Sequence, residues 1–531
     1  MKNFWLTEAM VELGQFLLPF LLVFPSFLLL FIITKNKSSR STQNPTPTQG
    51  DLPKSYPIIG HLIAANQQKD KFQWLTNLLI SSPSSTFVLH RPFGFKSIQT
   101  ADPIVVEHIL KTKFHIYQKG LYHRSVLRDF LGDGIFNVEG EAWKFQRQVA
   151  SHEFTNKSLR KFVENVVDFE LSNRLVPLLL EAAKNRRVLD LQDILQRFTF
   201  DNICKISFGY DPEYLDPSLA NQEFAVAYEE ATMISTARFR SFFPIVWKTS
   251  KFLNIGSEKR LKEAVSKVRQ FALAIVKEKK ETILKSSENS EDLLSRFLKS
   301  GHSDEKFVTD IVISFLLAGR DTTSAALTWF FWLVHKNKQA EQQILEEVLQ
   351  NRGKQGNKTE HLNSTAYEEV KDMVYTHAAL CESMRLFPPV PVDIKEATSD
   401  DVLPDGMRVK KGTWVTYHPY AMGRLEKLWG PDWAKYRPER WLQKTENGVE
   451  KKWRFVPRDP YSYPVFHGGP RVCLGKEMAF LQMKRVVAGV LSRFKVVPVA
   501  EEGFEPVYVP YLTAKMHGGF RVRIEERCEF E

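Results

Sequence analysis

The sequence predicts one large, mainly α-helical body with a small β-sheet portion, preceded by an N-terminal transmembrane helix. Three observations carry that expectation. Residues 13 to 34 form an uncharged run of 22, rich in Leu, Phe, Ile and Val. Apolar residues recur at three- and four-residue spacing through most of the chain to about residue 390. Strand-like runs are few and short: 86 to 90, 96 to 99, 407 to 416 and 519 to 524.

The first run, taken as a helix, is about 33 Å long, enough to cross the hydrocarbon core of a bilayer. Pro19 and Pro25 kink it without forbidding a span. No small-residue cleavage site follows; Thr34 leads directly into Lys35, Lys37 and Arg40. Glu8 and Glu12 precede it, so the positive-inside rule places the N-terminus in the lumen and the body in the cytosol. Residues 35 to 60 follow as a polar linker and hinge, with Pro53, Pro57 and Gly60 stiffening the exit from the membrane. Residues 61 to 531 then form a single body, with helical periodicity clearest over 158 to 184 and 258 to 283.

Composition narrows the function. Four widely separated cysteines, Cys204, Cys381, Cys473 and Cys528, make neither a disulfide framework nor a cysteine-rich zinc site. Cys204 and Cys381 are expected as buried hydrophobes and Cys528 as exposed. The net charge of +11 suits an anionic membrane surface or an acidic protein partner. No basic run with interleaved aromatics suggests a nucleic-acid platform.

Four segments carry chemistry. FHGGPRVCLG, Phe466 to Gly475, places Cys473 between glycines and ahead of a helical segment. The glycines permit close approach of a flat ligand, and helix N–H groups would stabilise a thiolate. Arg471 presents a donor fork suited to a carboxylate. A structural cysteine in a glycine turn is the competing reading of the local pattern. AGRDTT, Ala318 to Thr323, sits inside the apolar stretch Ile311 to Val334. Arg320 and Asp321 make that stretch a buried core helix rather than a second span, and an acid beside an alcohol suits a proton relay. ESMR places Glu382 and Arg385 on one helix face ahead of Pro388-Pro389, and YRPERW adds Arg440. WKFQR sets Trp143 and Arg147 four residues apart, both donors only.

Position for position, FHGGPRVCLG resembles the haem-binding signature of the cytochrome P450 family. The three other segments resemble that family's remaining motifs, in the same order. The resemblance implies a cytochrome P450 fold and haem b, with Cys473 as the proximal iron ligand. It implies that Trp143, Arg147 and Arg471 hold the haem propionates and that Asp321 and Thr322 act in oxygen activation. A Glu382–Arg385–Arg440 cluster would brace the haem-binding core, and Lys395 is a further candidate for a propionate.

The reaction implied is insertion of one oxygen atom into a C–H bond, with electrons from NADPH. The chain has no Walker motif and no convincing dinucleotide fingerprint, so a separate flavoprotein reductase is the expected partner, docking near Lys144 and Arg147. Several stretches are similar to plant fatty-acid ω-hydroxylases: GDGIFNVEGEAW (132 to 143), MRLFPPVPVDIKEA (384 to 397), TYHPYAMGR (416 to 424) and VCLGKEMAF (472 to 480). These imply hydroxylation of the terminal carbon of medium- and long-chain fatty acids at the endoplasmic reticulum membrane. The loop 390 to 394 and the region 114 to 130 are expected to line the substrate channel. Oxidation of jasmonoyl-amino-acid conjugates is the alternative, and rearrangement of lipid hydroperoxides without a reductase a more distant one.

Overall fold

The computed structural model describes residues 52 to 527, apart from 69, 217–221, 286–291, 302–303, 357–365, 446–451, 500 and 502. The expected anchor at 13 to 34, the linker up to residue 51 and Cys528 lie outside the described residues. Among those described, no helix is long and apolar enough to cross a membrane. The apolar stretch from Ile311 to Val334 forms helix Glu305–Leu316, a π turn Leu317–Asp321 and helix Thr322–Lys336. It is buried almost throughout, and its two charges pair at 2.8 Å between Arg320 Nη1 and Asp321 Oδ1.

Helices dominate, as the periodicity requires. The expected helix over 158 to 184 starts at Asn156, where Thr155 caps the first turn by accepting from Ser158 N. It is interrupted by π turns at Val163–Val167 and Leu171–Leu175 before Val176–Lys184. Pro177 lacks an N–H and crowds the preceding turn, which the second π turn absorbs. The periodic stretch 258 to 283 lies within helix Gly256–Lys285.

The main sheet has five strands in the order Thr86–His90, Lys96–Thr100, Trp414–Tyr417, Asp393–Ala397, Tyr117–Gln118. Only the pair Lys96–Thr100 and Trp414–Tyr417 is parallel, with Ser97 opposite Trp414 and Thr100 opposite Tyr417. The single strand expected over 407 to 416 is two, Arg408–Val409 and Trp414–Tyr417. Gly412 breaks it: its φ of +82° closes a turn in which Thr413 N donates to Lys410 O at 2.9 Å.

The largest core cluster surrounds helices Thr322–Lys336, Val374–Leu386 and Lys476–Leu491. At its centre Trp329 stacks on Phe387 with ring centroids 3.9 Å apart. Burying one such side chain contributes about 1.5–3 kcal/mol. A second cluster joins helices Gly120–Leu131, Leu191–Phe208, Gln222–Arg240, Gly256–Lys285 and Glu305–Leu316. A third packs under the five-stranded sheet.

Candidate active site

A cavity of about 2010 Å³ opens between these layers, well above the few hundred cubic ångströms of an ordinary ligand pocket. Cys473 lines it. The thiol is accessible to solvent because it faces this space. Burial raises its pKa, while the Gly475 N–H and the charges of Arg147 and Lys476 pull it back. The loop is fixed by its backbone: Cys473 N donates to Phe466 O at 2.9 Å and Val472 N to Gly469 O at 3.1 Å. Gly469, at φ +64°, lies so close to Leu110 O that a Cβ would meet it at 2.0 Å. Helix Lys476–Leu491 begins three residues after the cysteine and turns its free N–H groups and positive end toward it.

Beside the cysteine lies a cluster of donors. Trp143 and Arg147 come from helix Gly140–Ser151, and both line the cavity. Arg147 Nη2 donates to Val472 O at 2.8 Å, tying that helix to the cysteine loop. Arg471 stacks over the Trp143 ring at 4.4 Å and binds Glu139 and Val138 O. Four residues absent from the expected set join them: Lys119, His123, Asp393 and His467. Asp393 takes Lys119 Nζ at 3.1 Å and Lys395 Nζ at 2.8 Å. Burial opposes its ionisation, but Lys119 and Lys395 hold its carboxyl well below the usual range. Burial brings Lys395 down to about 7, against the pull of Asp393.

Among the described residues, buried His123 Nδ1 has no hydrogen-bond partner, and His467 Nε2 has only Asp393 Oδ2 near it, at 3.5 Å. Among the described residues, Lys119 and Lys395 pair with Asp393 and Arg471 with Glu139, while the donors of Trp143 and Arg147 beside them meet no carboxylate. Buried donors left over in this way suit an anionic ligand. The donor set fits haem: a soft thiolate for iron, and surplus cations for two propionates.

Across the cavity, Ala318, Gly319, Thr322 and Thr323 form part of the wall. Gly319 has no room for a side chain, since a Cβ would meet Ile203 at 2.5 Å. Thr322 Oγ1 donates to Ala318 O at 2.7 Å across the π turn, a deformation that recurs at functional sites. Asp321 does not line the cavity. Its carboxylate turns into a buried network in which Arg320 also meets Glu229 at 3.2 Å and Lys515 binds Glu229. Its Oδ2 has no partner, and burial raises its pKa despite Arg320.

The expected bracing cluster lies away from the cavity. Glu382 accepts from Arg385 Nη2 at 2.8 Å, from Arg440 Nε at 3.0 Å and from Trp441 Nε1 at 3.0 Å. The loop 390 to 394 supplies Val390, Val392, Asp393 and Ile394 to the cavity, and the region 114 to 130 supplies Lys119, His123 and Leu127. Sequence reading missed the walls from Met233 to Val246 and from Pro510 to Thr513. Neither carries a motif; topology alone brings them to the cavity.

Comparison with known proteins agrees with this geometry. A family model described as cytochrome P450 matches residues 51–516. Cytochrome P450 94A2 of Vicia sativa is 59% identical over 507 residues, covering 94% of this chain and 96% of that protein. Cytochrome P450 94A1 of the same plant is 60% identical over 478 residues, covering 90% and 91%. Cytochrome P450 94B3 of Arabidopsis thaliana is 46% identical over 517 residues, covering 96% and 98%.

Proposed function

This chain belongs to the cytochrome P450 family, and on that premise we propose that it hydroxylates the terminal carbon of medium- to long-chain fatty acids. The electrons come from NADPH through a separate flavoprotein reductase. When bound, haem supplies the binding and activation of dioxygen. The protein holds it through Cys473 and the cations beside it, positions the substrate and manages protons near Thr322.

One observation carries the substrate reading: a single cavity runs from Cys473 to an apolar rim on the outside of the molecule. Its lining includes Leu127, Ile135, Phe315, Leu317, Ile394 and Leu512, which suits an alkyl chain. A terminal methyl is harder to attack than its neighbours, so the wall must admit only the chain end. Val390, Val392 and Ile394 line the same cavity as Ala318, Gly319 and Thr322 and are candidates for that restriction.

The rim supports a membrane location. Phe93 and Phe95 at the tip of one hairpin, and Ile245, Phe252, Leu253 and Ile255 on and after helix Pro244–Leu253, are large exposed apolar side chains. The two groups meet where Phe93 packs edge-on against Phe243 at 6.0 Å. Such a patch on a soluble surface marks an interaction site. With the anchor expected at residues 13 to 34, it supports a position of the body against the endoplasmic reticulum membrane on its cytosolic side. Reductase docking is assigned to the face bearing Lys144, which is exposed and, among the described residues, pairs only with Glu141 at 2.7 Å on its own helix.

The test is NADPH consumption by the reconstituted protein and reductase with laurate. Laurate-dependent consumption with stoichiometric product supports the reading. A protein that rearranges hydroperoxides would ignore NADPH. Lys144→Glu should raise the reductase concentration needed for half-maximal rate; an unchanged requirement removes the docking assignment.

A further inference from the structure

The cavity holds a second group of cations, remote from the cysteine and unused so far. Arg91, at the end of strand Thr86–His90, lines the cavity and is largely withdrawn from water. Its guanidinium lies over the Trp414 ring at 4.7 Å and the Phe242 ring at 5.5 Å. Its one hydrogen bond among the described residues is from Nη2 to Ser241 O at 2.9 Å, although a guanidinium carries five N–H donors. No carboxylate lies within ion-pair distance of it among the described residues. Burial lowers its pKa, and Tyr122 is the group that opposes this.

Lys71 shares the same ring. Its ammonium is 5.8 Å from the Phe242 centroid and its partner is neutral, Asn66 Oδ1 at 3.2 Å. Arg240, also on the cavity wall, donates to Pro510 O and likewise has no ion pair among the described residues. The acids that line the cavity are engaged elsewhere: Glu258 with Arg238, Asp393 with Lys119 and Lys395, and Glu153 with Arg296. The nearby Asp70 caps helix Lys71–Ser81, accepting from Phe72 N and Gln73 N. Lys71 and Arg240 are exposed, but Arg91 is part-buried with most of its donors unspent, and an anion beside it would satisfy them.

Arg91 stands apart from the cysteine loop along the sheet. Trp414, under Arg91, is three residues along its strand from Tyr417, or about 10 Å. Tyr417 in turn meets His467 of the cysteine loop, ring to ring, at 6.0 Å.

We propose that Arg91, supported by Lys71 and Arg240, forms a carboxylate-binding subsite that anchors the acid end of the substrate while its other end reaches Cys473. The proposal rests on the fatty-acid reading above and deepens it.

Equilibrium dialysis of the haem-loaded full chain tests this with laurate, methyl laurate and jasmonoyl-isoleucine as ligands. Removing a bond to a charged partner should weaken binding about tenfold or more. Arg91→Gln is therefore expected to raise the dissociation constant of laurate by at least about tenfold, leaving methyl laurate within about twofold. Lys71→Met should give a smaller shift with the same preference. Arg91→Glu should bind dodecyltrimethylammonium more tightly than the wild type does. Wild-type amplitude of the reduced carbon monoxide spectrum checks that each variant is folded. Acid and ester weakened alike, or neither weakened, overturns the subsite. A wild-type protein that oxidises laurate while Arg91→Gln shows no such preference removes the subsite and leaves the fatty-acid reading standing. A wild-type protein that binds jasmonoyl-isoleucine but not laurate removes the fatty-acid reading, and the same acid-against-ester comparison on that conjugate decides the subsite.

Discussion

Two buried ionic clusters in this molecule are built from similar residues and end differently. Around Glu382 every charge is used. Both carboxylate oxygens accept from Arg385, Arg440 and Trp441. Arg385 also donates to Gly423 O, and Arg440 to Trp429 O at 2.8 Å and Asp432 at 2.7 Å. Gly423 must be glycine, because a Cβ there would lie 2.1 Å from Arg385 O. Around Asp393 donors outnumber acceptors, and among the described residues His123 Nδ1 has no partner while His467 Nε2 only approaches Asp393, at 3.5 Å. A closed buried cluster braces the fold; an open one waits for a ligand. The difference is visible only in the count of unspent donors, since Arg, Lys and Glu or Asp make up both.

Substitutions that open the closed cluster or empty the open one test that contrast. The largest effect is expected at the centre of the open site. Cys473→Ser should abolish the reduced carbon monoxide spectrum typical of thiolate ligation and all oxygenation, while circular dichroism keeps its helical signal. A retained thiolate spectrum would remove Cys473 as the ligand. Next comes the closed cluster. Arg385→Met leaves Glu382 buried with fewer partners and should cost about 3–5 kcal/mol of stability. Thermal unfolding with and without haem should show the loss in both forms. A loss confined to the haem-loaded form would mean that this cluster, too, serves the ligand.

Arg471→Gln should behave in the opposite way. Removing one of several crowded cations is expected to leave the haem-free protein nearly as stable as before, yet speed haem loss to apomyoglobin by roughly tenfold, the worth of one charge-assisted bond. A large loss of haem-free stability would place Arg471 with the bracing residues. On the opposite wall, Thr322→Ala should keep the carbon monoxide spectrum and lower product per NADPH roughly tenfold, equivalent to about 1.4 kcal/mol. Unchanged coupling would remove Thr322 from proton handling.

The smallest effect expected is one of pH. His377 stacks on Phe480 with centroids 3.9 Å apart, and burial, then Lys484 and Lys476, lower its pKa to about 3. The unfolded ring titrates near 6.5. Between these values the unfolded chain binds a proton that the folded ring refuses, so stability present above pH 6.5 is lost as pH falls toward 3. His377→Phe keeps the stack and should recover about 1 kcal/mol at pH 5.5 relative to pH 8. An equal slope in both proteins would show that other groups set the acid limb.

The contrast also shows what a sequence can convey. Glu382, Arg385 and Arg440 were legible because a short helix and a Pro-Glu-Arg segment carry them. Their partners Gly423 and Asp432 were not, being backbone and loop contributions from elsewhere in the chain. Cys473, Arg471, Trp143 and Arg147 were legible for the same reason: each sits in a spaced local pattern. His467 and Asp393 stand within quoted segments, and Lys119 and His123 within the expected channel region, but none holds a motif position of its own, and it is strand pairing and loop packing that unite them. Asp321 shows the limit from the other side. Its neighbour Thr322 lines the cavity, but one helical step turns the acid into the Arg320–Glu229–Lys515 network. The short strand-like runs at 86 to 90 and 96 to 99 fall on strands Thr86–His90 and Lys96–Thr100; the π turns at Leu171–Leu175 and Leu317–Asp321 were not legible, because the periodicity around them stays helical.

Product identity tests the proposed terminal hydroxylation most directly. Laurate, incubated with the haem-loaded full chain, reductase and NADPH, should give 12-hydroxylaurate as the main product by mass spectrometry, formed in proportion to NADPH consumed. A product hydroxylated mainly inside the chain, or turnover of jasmonoyl-isoleucine with none of laurate, would contradict terminal hydroxylation of fatty acids.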